Sequence, residues 1–322
     1  MISEELKHKW EIIENLPRQG DYDLIRISPE CHCEMSLAIT PDAHRCLVLA
    51  LPYSFSFEFH PIEREKLSLT KIKKKNYVAV TLLNNDSRDI FDDLIVSMHN
   101  AIKGITLLDE YASIFIQTFH KWVKLFDKSI DEKIPDSVII GMFGELITMK
   151  KLLIESPKTE VDVILGAWRG PFDQGHDYVF DDRNIEVKTR GPKNTSVHIA
   201  NEYQLGQLEA KGLVLSVVVA ERDTNNGITL RELTRDIVNI IEGSLGDTAI
   251  LYTAMRQKNL GPHNLPDYDD IVLHSLEITL YDCLSDNFPR LIRSELPMAL
   301  FKVEYSLNTA HLSNFTIEQV TL

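Results

Sequence analysis

Long apolar runs are missing from this chain: none approaches the roughly 18–20 residues that a membrane-crossing helix needs, so no membrane is expected among its partners. Cysteine is scarce. The four residues Cys31, Cys33, Cys46 and Cys283 do not form a disulfide framework in a chain of this length and are expected to be reduced. Among them, Cys31, Cys33 and Cys46 with His44 invite a zinc reading. A turn at Pro41-Asp42 would put Cys33 near Ala50 and Cys46 near Leu37, leaving the two pairs about 13 Å apart at strand rise, too far for one tetrahedral ion. Also absent are internal repeats, low-complexity tracts, a Walker lysine loop and a Gly-x-Ser-x-Gly elbow. Nucleotide hydrolysis of the P-loop kind and α/β-hydrolase chemistry therefore lack support.

Positive charge is in deficit as well. Lys and Arg number 34 against 48 Asp and Glu, a net charge of −14, which argues against a protein whose whole surface covers a polyanion. A local basic cleft is still open to it, since Arg183, Lys188, Arg190 and Lys193 outnumber Glu186 across residues 183–193. The acidic start Met1-Ile2-Ser3-Glu4-Glu5 is unlike a signal peptide, and a cytoplasmic location is expected. At 322 residues, 44% hydrophobic and 25% charged, the composition is that of a globular protein of two domains.

Short apolar or alternating runs separated by Pro, Asn and Asp dominate the first hundred residues after a short helix at 6–16. Strands are expected over Tyr22–Ile27, Met35–Ile39, Cys46–Leu51, Phe55–Phe59 and Tyr77–Leu83. The run Lys71-Ile72-Lys73-Lys74-Lys75 suits a solvated lysine edge that discourages strand pairing, or alternatively a phosphate contact. From Asp89 the period becomes helical. Leu108, Tyr111, Phe115, Phe119, Trp122 and Phe126 form an apolar stripe, which places a connecting helix and loop at 105–134 between a β-rich domain, 1–104, and a second domain, 135–322.

In the second domain a helix is expected over Asp136–Glu155, with Val138, Met142, Met149 and Leu152 on one face. Glu145 lies on that face, either beside a metal site or at the edge of the stripe. Gly141 and Gly144 each cost about 1 kcal/mol in a helix and point to close backbone packing. Further on, Ala200–Ala210 reads as a helix carrying Gln204 and Gln207, and Val214–Ala220 as a buried strand. Thr229–Glu242 and Asp247–Lys258 read as helices, Ile271–Asp282 and Ala299–Leu307 as strands.

Between them, residues 175–188 read as a β-hairpin around the tetrad Asp181-Asp182-Arg183-Asn184. Pairing Phe180 with Ile185 would put Asp177, Glu186 and Lys188 on one side, the two carboxylates about 7 Å apart or less. Carboxylates at that range repel unless a cation lies between them, and Mg²⁺ takes such oxygen ligands. By spacing alone the same residues also suit a solvated hairpin in which Glu186 and Lys188 merely pair.

The order of helix with Glu145, strand with Asp177, turn, Glu186-Val187-Lys188, helix and buried strand resembles the core of PD-(D/E)XK nucleases, the restriction-endonuclease-like fold. Trp122, Gly141-Met142-Phe143-Gly144-Glu145-Leu146, Trp168-Arg169-Gly170-Pro171, Asp177-Tyr178 and Phe288-Pro289-Arg290-Leu291 resemble the bacterial PD-(D/E)XK motif proteins. The resemblance implies an α/β (α+β) fold with a mixed sheet flanked by helices, preceded by the β-rich domain. It further implies a Mg²⁺-dependent endonuclease, with Mn²⁺ able to substitute, acting on DNA in restriction or phage defence with other subunits as partners; double-strand cutting would call for a homodimer. Asp177 and Glu186 would be metal ligands with the Val187 carbonyl, Lys188 the water-orienting group, Glu145 the accessory helical carboxylate, and Gln204 the glutamine that follows the lysine. His176 stands where a proline is usual; in a strand it would point away from Asp177 and take no part. Asp173 is a rival for the first ligand. Two other readings stay open: a partner-dependent subunit that binds without cutting, and an enzyme acting on a small phosphoester.

Overall fold

The computed structural model describes residues 3–16, 23–29, 31–32, 34–55, 57–126, 133–172, 175–206 and 211–322. Two units make up the chain. The first comprises Met1–Ile130, Ile241–Thr253 and Gly261–His263; the second Asp131–Ile240, Ala254–Leu260 and Asn264–Leu322.

In the first unit α1 (Ser3–Glu14) precedes the strands β1 (Asp23–Arg26), β2 (Glu34–Ile39), β3 (Arg45–Ala50), β4 (Ile62–Glu63), β5 (Leu67–Ile72) and β6 (Tyr77–Leu82). They form an antiparallel sheet in the order β1-β2-β3-β6-β5-β4. Helices α2 (Arg88–Ile102) and α3 (Leu108–Val123) follow, and Tyr111, Phe115, Phe119 and Trp122 of α3 are all buried, as their spacing requires. Burial also takes in acids. Asp92 of α2 accepts a hydrogen bond from the Trp10 indole at 2.7 Å and one from Arg45 at 3.4 Å, and Arg45 reaches on to Glu14 at 2.9 Å. Desolvation pushes the Asp92 carboxyl up to about 7 against the pull of Arg45.

Three local expectations fail here. The described residues of 55–59 form no strand; the Asn76 amide instead donates to the carbonyls of Leu51, Pro52 and Phe55, the rings of Phe55 and Phe57 stack, and Phe59 packs tilted against Phe57. The lysine run is not a bare edge, because Lys71 lies within β5 and its ammonium donates to Phe57 O at 2.7 Å. Cys46 sits opposite Ala38, one residue from the expected pairing, with its thiol pushed up to about 12 by burial; Cys33 lies outside the described residues.

The second unit contains α4 (Asp136–Glu155), α5 (Val161–Ala167), β7 (Tyr178–Val179), β8 (Arg183–Arg190), β9 (Ser196–Ile199), β10 (Gly212–Arg222) and β11 (Ile228–Thr229). Next come α6 (Leu230–Gly243) and α7 (Thr248–Arg256), each of which crosses between the units along the chain, then β12 (Val272–Asp282), β13 (Tyr305–Asn308) and β14 (Thr316–Thr321). The sheet runs β11-β12-β10-β8-β7 with β14 on β12, and only β8 and β10 pair in parallel within it. This mixed sheet and its helices give the unit an α+β character.

Helix α4 lies close on one sheet face. Gly144 allows it, since a Cβ there would collide with Thr189 Oγ1 of β8, and Thr148 Oγ1 meets Ser216 Oγ of β10 at 3.0 Å. On the other face Leu215 and Val217 pack with Val197, Ile199, Leu205, Phe288 and Leu307. Their parallel partners on β8 are Glu186 and Lys188, so those two side chains share that second face.

A parallel pair needs a crossover, and of the helix expected over 200–210 the described residues, 200–206, form none. Residues 201–206 form turns, held by Asn201 Oδ1 accepting from Tyr203 N and Gln204 N; Gln207 lies outside the described residues. Asn side-chain bonds of this kind compete with helix formation. The strand expected from Ala299 begins only at Tyr305.

Candidate active site

The hairpin of β7 and β8 pairs Tyr178 with Ile185 and Val179 with Asn184, two residues away from the expected Phe180–Ile185 pairing. Phe180 N–H donates to Arg183 O at 2.9 Å and closes a tighter turn, which draws Asn184 into the strand. An even shift leaves side-chain parity unchanged, so Glu186 and Lys188 keep their common face. Continuing the register sets Asp177 opposite Glu186.

Asp177 itself lies in a bend just before β7. Its carbonyl accepts from Arg169 N at 2.6 Å and Gly170 N at 3.0 Å, while its Oδ2 accepts the Val187 N–H at 2.7 Å. A strand residue's N–H and C=O point the same way, so the Val187 carbonyl looks toward the same edge as Asp177.

Glu145 reaches this spot from α4. The Trp168 indole donates to its Oε2 at 2.6 Å, and the Tyr178 hydroxyl donates to its backbone carbonyl at 2.8 Å, so the residues flanking Asp177 also hold Glu145. Gly170 marks where the two acids meet: a Cβ added to it would collide with Glu145 Oε2 and come within 2.8 Å of Asp177 Oδ1. Trp168 and Gly170 are site residues to which the sequence alone assigned no role. The only signal was an aromatic-Arg-Gly-Pro stretch just ahead of the hairpin.

Lys188 donates to Glu186 Oε1 at 2.7 Å and to Gln204 Oε1 at 3.2 Å. That same glutamine oxygen accepts the Ala200 N–H at 2.7 Å, which fixes it without a helix. His176 is not in a strand, and parity does not remove it from the site's surroundings; it is buried with its ring bonded to the Gln204 backbone, and desolvation lowers its pKa. Asp173 lies outside the described residues. Arg183 is turned to Asp182 and the Phe180 ring, and Arg190 donates to the Gly191 and Asn194 carbonyls, so neither joins the cluster.

The electrostatics follow from buried Glu186, half-buried Glu145 and Asp177, the Lys188 ammonium, and Lys258, which acts on Glu145. Desolvation raises the Glu145 carboxyl well above its ordinary range, and the charge of Asp177 raises it further, with Glu186 adding to the effect; the Trp168 bond opposes them. Glu186 is pushed up to about 8, by burial first and Asp177 second, against the pull of Lys188. Its Oε2 is buried with no hydrogen-bond partner.

A divalent cation fits that donor set chemically: hard carboxylate oxygens, mutually repelling, one of them without a donor. Among the described residues no three His, Cys, Asp or Glu side chains already stand as a ready coordination set. One oxygen of each of these carboxylates is held instead by Trp168, by the Val187 N–H or by Lys188.

A mixed sheet carrying an acid-acid-lysine hairpin, with a further acid from the helix behind it, has the layout of the restriction-endonuclease-like class. Residues 6–310 match the family model described as "Putative PD-(D/E)XK family member, (DUF4420)", and the chain belongs to that family. No curated protein and no solved structure matches the chain.

Proposed function

We propose that this protein is a metal-dependent nuclease that hydrolyses DNA phosphodiester bonds with Mg²⁺, or Mn²⁺ in its place, at Asp177, Glu186, Lys188, Glu145 and Gln204. The observation that carries the reading is the meeting of Glu145, Asp177 and Glu186 beside a lysine shared between Glu186 and Gln204. Asp177, Glu186 and the Val187 carbonyl would hold the cation, with Glu145 as the accessory carboxylate. Such a cation supplies charge neutralisation at the phosphoryl group and a more acidic water. Lys188, steered by its two acceptors, donates to the attacking water or to a non-bridging phosphate oxygen and stabilises the charge that develops there. Gln204 keeps the ammonium from collapsing onto Glu186 alone, and Trp168 orients Glu145.

The resemblance to bacterial PD-(D/E)XK motif proteins supports a place in restriction or phage defence. Purified protein should nick plasmid DNA with Mg²⁺ or Mn²⁺ and lose that activity in EDTA; Lys188→Ala and Asp177→Asn should each abolish cleavage with the fold intact. Undiminished cleavage by both variants would overturn the assignment. The net charge of −14 favours a second reading, a nuclease-fold subunit that cuts only with partner proteins. That reading predicts cation binding by calorimetry without cleavage by the isolated chain.

A further inference from the structure

A histidine lies beside the candidate active site without a part in it so far. His176 is 2% exposed and directly precedes Asp177. Its ring nitrogen Nε2 is buried with no hydrogen-bond partner among the described residues. The bond to the Gln204 backbone therefore belongs to Nδ1, and it favours the proton on the ring, as a carbonyl accepting an N–H does. For packing alone an apolar side chain would serve better here, because a buried nitrogen left without a partner is a net cost. What the imidazole adds is the bond it makes.

Gln204 is where that bond acts. Residues 201–206 form turns, and the bonds that shape them are short in range: Asn201 Oδ1 accepts from Tyr203 N and Gln204 N, and Gln204 Oε1 accepts from Ala200 N. Bonds of that range shape a turn but do not place it against the hairpin. On one side the turn is held to residues 290–303, with Glu202 Oε2 accepting from Val303 N at 3.0 Å and Leu205 O from Arg290 at 3.1 Å. Toward the hairpin Gln204 is held at both its ends, Oε1 accepting from Lys188 at 3.2 Å and the carbonyl accepting from His176.

An ammonium on a flexible stem has no direction of its own. Lys188 is directed by what accepts its protons, Glu186 Oε1 at 2.7 Å and Gln204 Oε1 at 3.2 Å. The glutamine contact is the longer and the uncharged one, so its placement decides how far the ammonium leans away from Glu186. We propose that His176 is a positioning residue for Lys188, acting through the Gln204 carbonyl, a role that rests on the nuclease reading and adds a residue to it. Because His176 and Asp177 are consecutive, one backbone segment then fixes both a proposed cation ligand and the direction of the lysine. Without the clamp the turn drifts and the ammonium folds onto Glu186.

The first test is amide hydrogen exchange in the full, metal-free chain at two reporters. Ala200 N–H is protected by Gln204 Oε1, and Val187 N–H by Asp177 Oδ2. His176→Gln moves the donor from the Nδ1 to the Nε2 position, whereas His176→Asn keeps one near Nδ1. Exchange at Ala200 should quicken about tenfold in His176→Gln, the worth of one hydrogen bond, and stay at the wild-type rate in His176→Asn. Val187 should not change in either. In Gln204→Ala, where the link is already cut, His176→Gln should add nothing.

The second test is DNA cleavage with Mg²⁺. His176→Gln should lower kcat about a hundredfold with KM and the calorimetric Mg²⁺ affinity unchanged, and His176→Asn should restore kcat. Equal losses in the Asn and Gln variants would reduce His176 to a space-filler and overturn the clamp. Loss of Val187 protection or of Mg²⁺ affinity in step with kcat would overturn it too, by moving the effect to Asp177. Both of those results leave the nuclease reading standing. A wild type that neither takes up Mg²⁺ nor cuts DNA would overturn that reading and, with it, the catalytic meaning of the clamp, whatever the exchange pattern.

Discussion

Both units set carboxylates below the surface, and the clusters around Asp92 and around Glu186 are answered differently. In the first, Asp92 is met by the Arg45 guanidinium and the Trp10 indole, and Asp93 by the Tyr252 hydroxyl at 2.6 Å. In the second, Glu145, Asp177 and Glu186 lie within reach of one another's charge, only Glu186 is paired directly with Lys188, and Glu186 Oε2 is left with no donor. The first arrangement is complete as it stands, a polar clasp between helix and sheet. The second leaves one carboxylate oxygen that no donor meets, and under the proposed function a cation would complete it.

The widest gap between the two should come from removing each unit's cation. Lys188→Ala should reduce cleavage by about 10³-fold or more while the melting temperature stays near wild type. Arg45→Ala should do the reverse, costing about 3–5 kcal/mol in urea unfolding by stranding Asp92, with specific activity per folded molecule unchanged. A Lys188 variant that unfolds, or an Arg45 variant that folds normally but cannot cut, would erase the distinction.

Gly170→Ala probes how tightly Glu145 and Asp177 must approach. The new methyl collides with Glu145 Oε2, which Trp168 holds in place, so the carboxylates must move apart. Displacement on the order of 1 Å should lower cleavage about a hundredfold. Unchanged activity would mean that the two acids need no such proximity.

The smallest effect concerns pH. The folded-state pKa of Glu186, about 8, stands above its ordinary 4.5, so its contribution to stability is full below about 4.5 and is lost as pH rises through about 8. Asp92 has the same sign over a lower window, from 3.8 to about 7. Metal-free protein should therefore be less stable at pH 8 than at pH 5. Glu186→Gln should recover about 1–2 kcal/mol at pH 8.5, and Mg²⁺ should stabilise the wild type there but not that variant. Asp92→Asn should leave the Mg²⁺ effect untouched. Chemical denaturation across pH, with and without Mg²⁺, decides the matter.

Legibility in the sequence followed the range of the interactions involved. Helix α4 was readable to its ends because apolar period and length are local properties. The common face of Glu186 and Lys188 was readable because parity survives an even register error. Gln204 could be named by its place after the lysine, yet its position is set by bonds to Ala200, Asn201 and Lys188, which no helical pattern encodes. His176 was set aside on strand parity, but the strand starts two residues later. Trp168 and Gly170 matter through contacts with Glu145, more than twenty residues away, and no local period announces such a contact.

The path of the chain carries a consequence for biosynthesis. The first unit includes Ile241–Thr253, and Tyr252, the partner of Asp93, is among those residues. A ribosome that has released the first 130 residues has not yet made the hydroxyl that satisfies a buried acid. At translation speeds this leaves the unit unfinished for on the order of ten seconds. Cutting the gene at that boundary would make the wait permanent, so a clone of residues 1–130 alone should be insoluble unless Ile241–Thr253 is supplied with it.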